Sequence, residues 1–293
     1  MATDGPAFQL DRAAVARAFD RAGAAYDRAA RLQAQVREEL LARLEFFRLE
    51  PGLVLDLGCG TGLASAALRR RYPRSQVLAL DLAAGMLRAA RAHSRWRRRF
   101  HRVQADARAL PLRARSVDLL FSNLMLQWCD EPDAVFAEWQ RVLRPGGVVV
   151  FSTFGPETLH ELRAAWAAVD EAPHVSLFAD APALSSGLMQ AGLAEPVMDV
   201  EQYRLDYADA RQLMRELRDI GASNAARGRR RGLMTPRRMA RAVAAYETLR
   251  TPRGVPASYE VLFGVAFGAE TGPLRGHSGE VVVPLASLGK RAP

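Results

Sequence analysis

Leu55-Asp56-Leu57-Gly58-Cys59-Gly60-Thr61-Gly62 is the stretch that decides how this chain folds. Residues 53–57 read as a short buried strand and residues 63–71 as a helix, with a glycine-rich turn between them. Glycine has no Cβ and takes positive φ freely, so such a turn lets backbone approach a ligand closely. A bare G-x-G-x-G is a weak pointer to a nucleotide-like ligand, and its surroundings carry the argument.

Four residues around the loop share a position. Asp56 stands just before the first glycine, where a dinucleotide-binding strand usually continues apolar. An acid there suits a cationic amino group and suits pyrophosphate poorly. Asp81, followed by Leu82, ends the next predicted strand roughly 20 residues on, where a carboxylate either accepts ribose hydroxyls or caps the following helix. Asp106, followed by Ala107, ends the third strand and can accept from the exocyclic amine of adenine; here too a capping role is the alternative. Asn123 ends the fourth. All four lie at strand carboxyl ends, where ligands bind in an open α/β sheet.

Working outward, strands are expected over 76–80, 102–105, 117–122 and 147–154, with helices over 83–93 and 132–143. This βαβ rhythm predicts a parallel, doubly wound α/β sheet. Upstream, apolar residues recur at helical spacing over 10–47, reading as two helices broken near Gly23. Downstream, helices are expected over 157–169, 180–192 and 209–220, a strand over 197–205, a mobile basic loop over 225–232, a helix opened by Pro236, and a last strand over 258–267. The predicted organisation is an N-terminal helical lid (1–48) and a main domain (49–270). That domain comprises a core (49–155) and a substrate-side insertion of about 156–255, and a flexible extension (271–293) follows it.

With 293 residues and 49% hydrophobic content, the chain can bury a full α/β core. Its longest apolar runs are strand-sized, so no membrane span is expected, and its opening residues lack a secretory pattern. Cys59 and Cys129 give neither a metal cluster nor a disulfide framework, and a cytoplasmic setting is the simplest expectation. The net charge of +9 is mostly arginine. It reflects either a biased composition or an acidic partner.

The D-L-G-C-G-T-G loop, the acid at 81 with Met86 behind it, and Val142-Leu143-Arg144-Pro145-Gly146-Gly147 resemble the class I methyltransferases over roughly residues 40–155. The resemblance implies S-adenosyl-L-methionine as cofactor and a Rossmann-like sheet of seven strands with the last antiparallel. It implies a cofactor set of Asp56, Gly58, Cys59, Gly60, Gly62, Asp81, Leu82, Met86, Asp106, Ala107 and Asn123, and no metal. The flanks are similar to the malonyl-[acyl-carrier protein] O-methyltransferases of biotin synthesis. Ala25-Tyr26-Asp27-Arg28 with Gln33, Leu126-Gln127-Trp128, residues 151–159, Ile220-Gly221-Ala222-Ser223-Asn224 and Ser258-Tyr259 carry that likeness.

That family implies methylation of the free carboxylate of a malonyl thioester. Such a carboxylate is ionised at neutral pH, so the reaction needs alignment and no base. A cation to orient it is expected, with Arg218 the first candidate and Tyr26, Asn224, Tyr259 and His174 as further lining groups; each is also readable as a solvated, packing or capping residue. The implied partner is an acidic acyl carrier protein, with Trp96 to Arg102 and Arg227 to Arg231 as docking patches, unless these are merely solvated faces. Coenzyme A as carrier stays open. A nucleic-acid methyltransferase is the rival suggested by charge, but Asn123 lacks the Pro-Pro-aromatic continuation of base amino-methylating enzymes. A non-catalytic assembly factor on the same fold is the second rival.

Overall fold

The computed structural model describes residues 9–23, 26–94, 99–229, 232, 234–269, 274–275 and 281–282. Helices α1 (Arg12–Ala22), α2 (Tyr26–Ala29) and α3 (Arg31–Arg43) precede β1 (Leu53–Leu57). The alternation then runs α4 (Leu63–Arg71), β2 (Gln76–Asp81), α5 (Ala84–Ala90), β3 (His101–Gln104), β4 (Val117–Asn123), α6 (Pro132–Val142) and β5 (Leu143–Phe154). The later part comprises α7 (His160–Ala167), α8 (Ala181–Gln190), β6 (Ala194–Tyr207), α9 (Ala210–Asp219), α10 (Pro236–Glu247) and β7 (Val255–Phe267). Two short strands, β8 (Leu274–Arg275) and β9 (Val281–Val282), pair with each other; the rest of the extension expected to be flexible lies outside the described residues.

The sheet order is β3-β2-β1-β4-β5-β7-β6. Strands β1 to β5 are mutually parallel, and β7 runs antiparallel between β5 and β6. Both faces are covered, so alternate residues of one strand enter different cores. Val54, Phe121, Val150 and Phe263 pack with Val36, Leu40 and Leu44 of the N-terminal helices, whereas Leu55, Leu57, Leu120 and Phe151 pack with Phe136 and Trp139 of α6. Local chemistry starts the helices where the sequence places caps: Asp11, Asp180 and Asp209 accept from backbone N–H groups in the first turns of α1, α8 and α9.

Three expectations change. The N-terminal helical region is three pieces: α1 and α2 line the crevice, whereas α3 turns Val36 and Leu40, both fully buried, into the core and only Gln33, Ala34 and Arg37 toward the crevice. Helix α7 begins at His160 instead of residue 157, because Thr158 is buried and its hydroxyl is tied to the Glu260 backbone. The basic segment is not a free loop at its start. Ala225 and Ala226 are buried, Asp11 N–H donates to the Ala225 carbonyl at 2.7 Å, and Arg227 N–H donates to the Gln9 carbonyl at 2.6 Å. Arg230 and Arg231 lie outside the described residues.

Candidate active site

The sheet order reverses between β1 and β4, which opens a crevice at their carboxyl ends. The glycine loop turns there with Gly58, Gly60 and Gly62 at φ of +72°, +52° and +81°. Gly58 and Cys59 N–H both donate to the Leu80 carbonyl, at 2.8 and 3.0 Å. A Cβ on Gly58 would fall 2.3 Å from Met125 Cγ, so no other residue fits. Gly62 plays a different part from the one expected: its missing Cβ admits Ala90 and Phe100, so it lets α4 pack, and it does not line the crevice.

Asp81 accepts Gly60 N–H and Ala83 N–H, one on each oxygen, both at 2.8 Å. It thus braces the loop and caps α5, and a carboxylate retains further acceptor sites for ribose hydroxyls. Burial pushes it up to about 6, against its backbone hydrogen bonds. Asp56 is 1% exposed and accepts from Ser65 Oγ. Its burial, opposed by that bond and reinforced by the charge of Asp81, pushes it up to about 7.

The crevice has two ends that meet at Tyr26, Gly58, Gly60 and Asn123. One end is a cleft lined by Asp81, Leu82, Met86, Asp106 and Ala107. Burial raises Asp106, but hydrogen bonds and charge from Arg108 and the charge of Arg12, 2.9 Å away, outweigh it and hold it below the usual range. The other end holds Asp56, Cys59, Thr61, Asp27 and Arg37. Arg37 escaped the sequence reading, although it lies four residues from Gln33 on one face of α3. Burial pushes the Cys59 thiol up, so it is a packing group. Asn123 is held by Ser152 Oγ at 2.9 Å and reaches the Gln33 carbonyl at 3.3 Å.

Beside the crevice lies a second pocket, with Tyr26, Phe19, Leu124 and Trp128 in common. Phe19 and Trp128 meet edge to face at 5.1 Å, and Phe154 contacts Phe178 and Tyr259 at 5.6 and 5.9 Å. Four of the five sequence candidates are here: Tyr26, His174, Asn224 and Tyr259. His174 Nε2 lies 2.8 Å from Asp170, and its ring stacks on Trp166 at 3.9 Å. Asn224 donates to the Pro173 carbonyl at 2.5 Å and accepts from Ala226 N–H at 3.0 Å, tying two loops together. Tyr259 is buried and hydrogen-bonded to Tyr207, whose hydroxyl donates to Glu216 at 2.7 Å; burial raises the Tyr259 phenol well above its ordinary value. Arg218 is not in this pocket. It is exposed on the outer side of α9, beside Arg21. No Arg, Lys, Asp or Glu is among the described residues that line the pocket.

Three left-handed glycines, acids at the strand ends and a reversed strand order define a class I S-adenosylmethionine-dependent methyltransferase, and residues 55–151 match the family described as methyltransferase domain. The chain is 47% identical over 290 residues to the malonyl-[acyl-carrier protein] O-methyltransferase of Halorhodospira halophila, covering 98% of each. It is also 47% identical to that of Laribacter hongkongensis, over 92% of this chain and 93% of the relative. It belongs to the malonyl-[acyl-carrier protein] O-methyltransferase family. S-adenosylmethionine is its methyl donor. The YcgJ protein of Bacillus subtilis, at 14% identity and a TM-score of 0.59 over 80% of this chain and 99% of its own, shares the fold. No helix among the described residues is long and apolar enough to cross a membrane.

Proposed function

We propose that the chain transfers the methyl group of S-adenosylmethionine to the free carboxylate of a malonyl group carried as a thioester on acyl carrier protein. The product is the malonyl methyl ester that primes the pimeloyl chain of biotin. The observation that carries this reading is the pocket beside the cofactor crevice, meeting it at Tyr26 and lacking any lining carboxylate among the described residues.

The bound cofactor supplies an electrophilic methyl on a sulfonium. Asp81 would receive its ribose hydroxyls, Asp106, Ala107, Leu82 and Met86 at the same end of the crevice would hold the adenine, and Asp56 and Arg37 at the other end would take the amino group and the carboxylate. The C–S bond breaks as a C–O bond forms to the malonyl oxygen, leaving a thioether and an ester. No proton moves, which explains a pocket without a base.

The absence of Arg218 from the pocket has a physical reason on this reading. Sulfonium and carboxylate neutralise each other as the methyl moves, so charge falls toward the transition state. A bidentate arginine would stabilise the ionised ground state more than that transition state and slow the step. Tyr26, Asn224, His174 and Tyr259 instead offer orientation in an apolar, aromatic setting. Trp128, Phe19 and Tyr26 line the junction with aromatic rings, a setting suited to a sulfonium.

The acyl carrier partner is taken to be acidic, and the exposed arginines of this +9 chain would steer its approach. Of the docking patches expected from sequence, residues 95–98, Arg230 and Arg231 lie outside the described residues. Arg229 is engaged with the Ala225 and Ala226 carbonyls and with Asp11 at 3.6 Å. The test offers purified protein and radiolabelled S-adenosylmethionine the malonyl and acetyl forms of acyl carrier protein and coenzyme A. Base-labile label on malonyl forms alone supports the reading; transfer to RNA alone, or to nothing, overturns it.

A further inference from the structure

An acyl group delivered on a protein reaches this pocket at the end of a phosphopantetheine arm, so a passage from pocket to solvent has to accept that arm. Besides the cofactor crevice, two other surface pockets adjoin this one. One shares Gln127, Phe154, Ser176 and Phe178 with it, and its one charged lining group among the described residues is Asp130. The other shares Ser223 with it and is lined by Ala18, Arg21, Arg218, Asp219 and Gly221 as well. The first is acidic, and the second carries two cations against one anion.

Arg21 ends α1 and Arg218 stands in the last turn of α9. Both are exposed, and neither has a hydrogen bond or ion pair among the described residues. Arg12 of α1 is engaged with Asp106, and Arg17, Arg211 and Arg215 are exposed and unengaged like Arg21 and Arg218, but only Arg21 and Arg218 line this surface pocket. The separation of the two elements is set by backbone. Gly221, at φ +77°, lies so close to α1 that a Cβ would meet Ala18 carbonyl atoms at 3.3 Å and Phe19 at 3.2 Å. Two unengaged guanidiniums thus line one surface pocket beside this close contact, and that pocket adjoins the acceptor pocket at Ser223.

We propose that Arg21 and Arg218 form a binding site for the phosphodiester of the phosphopantetheine arm, which enters between α1 and α9 past Ser223. This rests on the proposed function, and it gives Arg218 a role at the phosphate where the sequence suggested one at the malonyl carboxylate. Guanidinium forks match phosphate oxygens in geometry and charge. Placing the cations at the mouth also spares the reacting carboxylate a tight ion pair.

The experiment compares wild type with the double variant Arg21→Ala/Arg218→Ala. The substrates are malonyl-pantetheine, malonyl-phosphopantetheine, malonyl-coenzyme A and malonyl-acyl carrier protein. S-adenosylmethionine affinity, measured calorimetrically, checks that the variant is folded. The variant is expected to raise KM at least about tenfold for malonyl-phosphopantetheine and malonyl-acyl carrier protein, the loss of one or two charge-assisted contacts, with kcat within about twofold. The KM for malonyl-pantetheine, which carries no phosphate, stays the same. Asp219→Asn lowers KM for the phosphate-bearing forms. An equal rise for malonyl-pantetheine, no rise for any form, or a rise confined to coenzyme A would overturn the site. Methylation of none of the four by wild type would instead refute the proposed function, and the site with it.

Discussion

Cofactor binding should release protons, because the two acids proposed to receive it are held partly protonated by their surroundings. With Asp56 at about 7 and Asp81 at about 6, the free protein at pH 6 carries Asp56 mostly neutral and Asp81 half neutral. An amino group and ribose hydroxyls both favour ionised carboxylates. Affinity must therefore rise with pH through these values. Between pH 6 and pH 8 the Asp56 proton alone accounts for about tenfold in Kd and that of Asp81 for about twofold, together about twentyfold or ~1.8 kcal/mol. The sign for stability is the reverse. Both pKa values are raised above the unfolded value of 3.8, so their contribution is present below about pH 4 and is lost as pH rises through about 6 and about 7. The free protein is thus less stable at pH 8 than at pH 5 on account of these groups, and the cofactor offsets the loss. Isothermal titration calorimetry in buffers of different ionisation enthalpy measures both the slope and the protons released. Asp56→Asn should flatten the slope to about twofold, weaken binding at pH 8 and raise the melting temperature of the free protein there by a few degrees. A Kd for S-adenosylmethionine that does not change from pH 6 to 8, with no buffer dependence, would refute this reasoning.

Gly58→Ala forces a left-handed residue with a Cβ 2.3 Å from Met125 Cγ, so it should destabilise by about 2–4 kcal/mol and abolish saturable cofactor binding, read by denaturant melts and calorimetry. A variant that binds normally would show the loop more yielding than its geometry. Asp20→Ala removes the acceptor for Gly85 N–H at 2.6 Å, the latch between α1 and α5; cofactor Kd should rise about three- to tenfold, and an unchanged Kd together with an unchanged melting temperature would count against a latch. Tyr26 lines both ends of the crevice and the acceptor pocket. Tyr26→Phe should keep kcat within about threefold, while Tyr26→Ala lowers kcat/KM by about a hundredfold; equal losses in steady-state assays would mean that the hydroxyl matters and the ring does not.

The cofactor end of this site was legible for a geometric reason. In a parallel α/β sheet every strand brings its carboxyl end to the same edge, so Asp56, Asp81, Asp106 and Asn123, at or just beyond those ends, could be gathered from chain order alone. Val, Leu and Phe runs bounded by glycine marked the strands, and even the antiparallel β7 carried an extended apolar signature. The acceptor side was legible only in outline. Tyr26, His174, Asn224 and Tyr259 come from α2, two loops and β7, and only tertiary packing brings them together. Helical spacing places Arg218 on a face of α9 without saying that the face looks outward, past Gly221 toward α1. The anchoring of residues 225–227 to Gln9, Leu10 and Asp11 spans more than two hundred residues and leaves no local trace. Arg37 was missed because an arginine on a mostly polar helix has no distinguishing neighbour in sequence.

Where the methyl goes is measurable directly. A single turnover with deuterium-labelled methyl donor and malonyl-acyl carrier protein, followed by tandem mass spectrometry of the released phosphopantetheine arm, locates the label. One labelled methyl is expected on the distal malonyl oxygen, recovered as labelled methanol after mild base. Label on carbon, on an amine of the carrier, or on no malonyl thioester at all would contradict the proposed transfer.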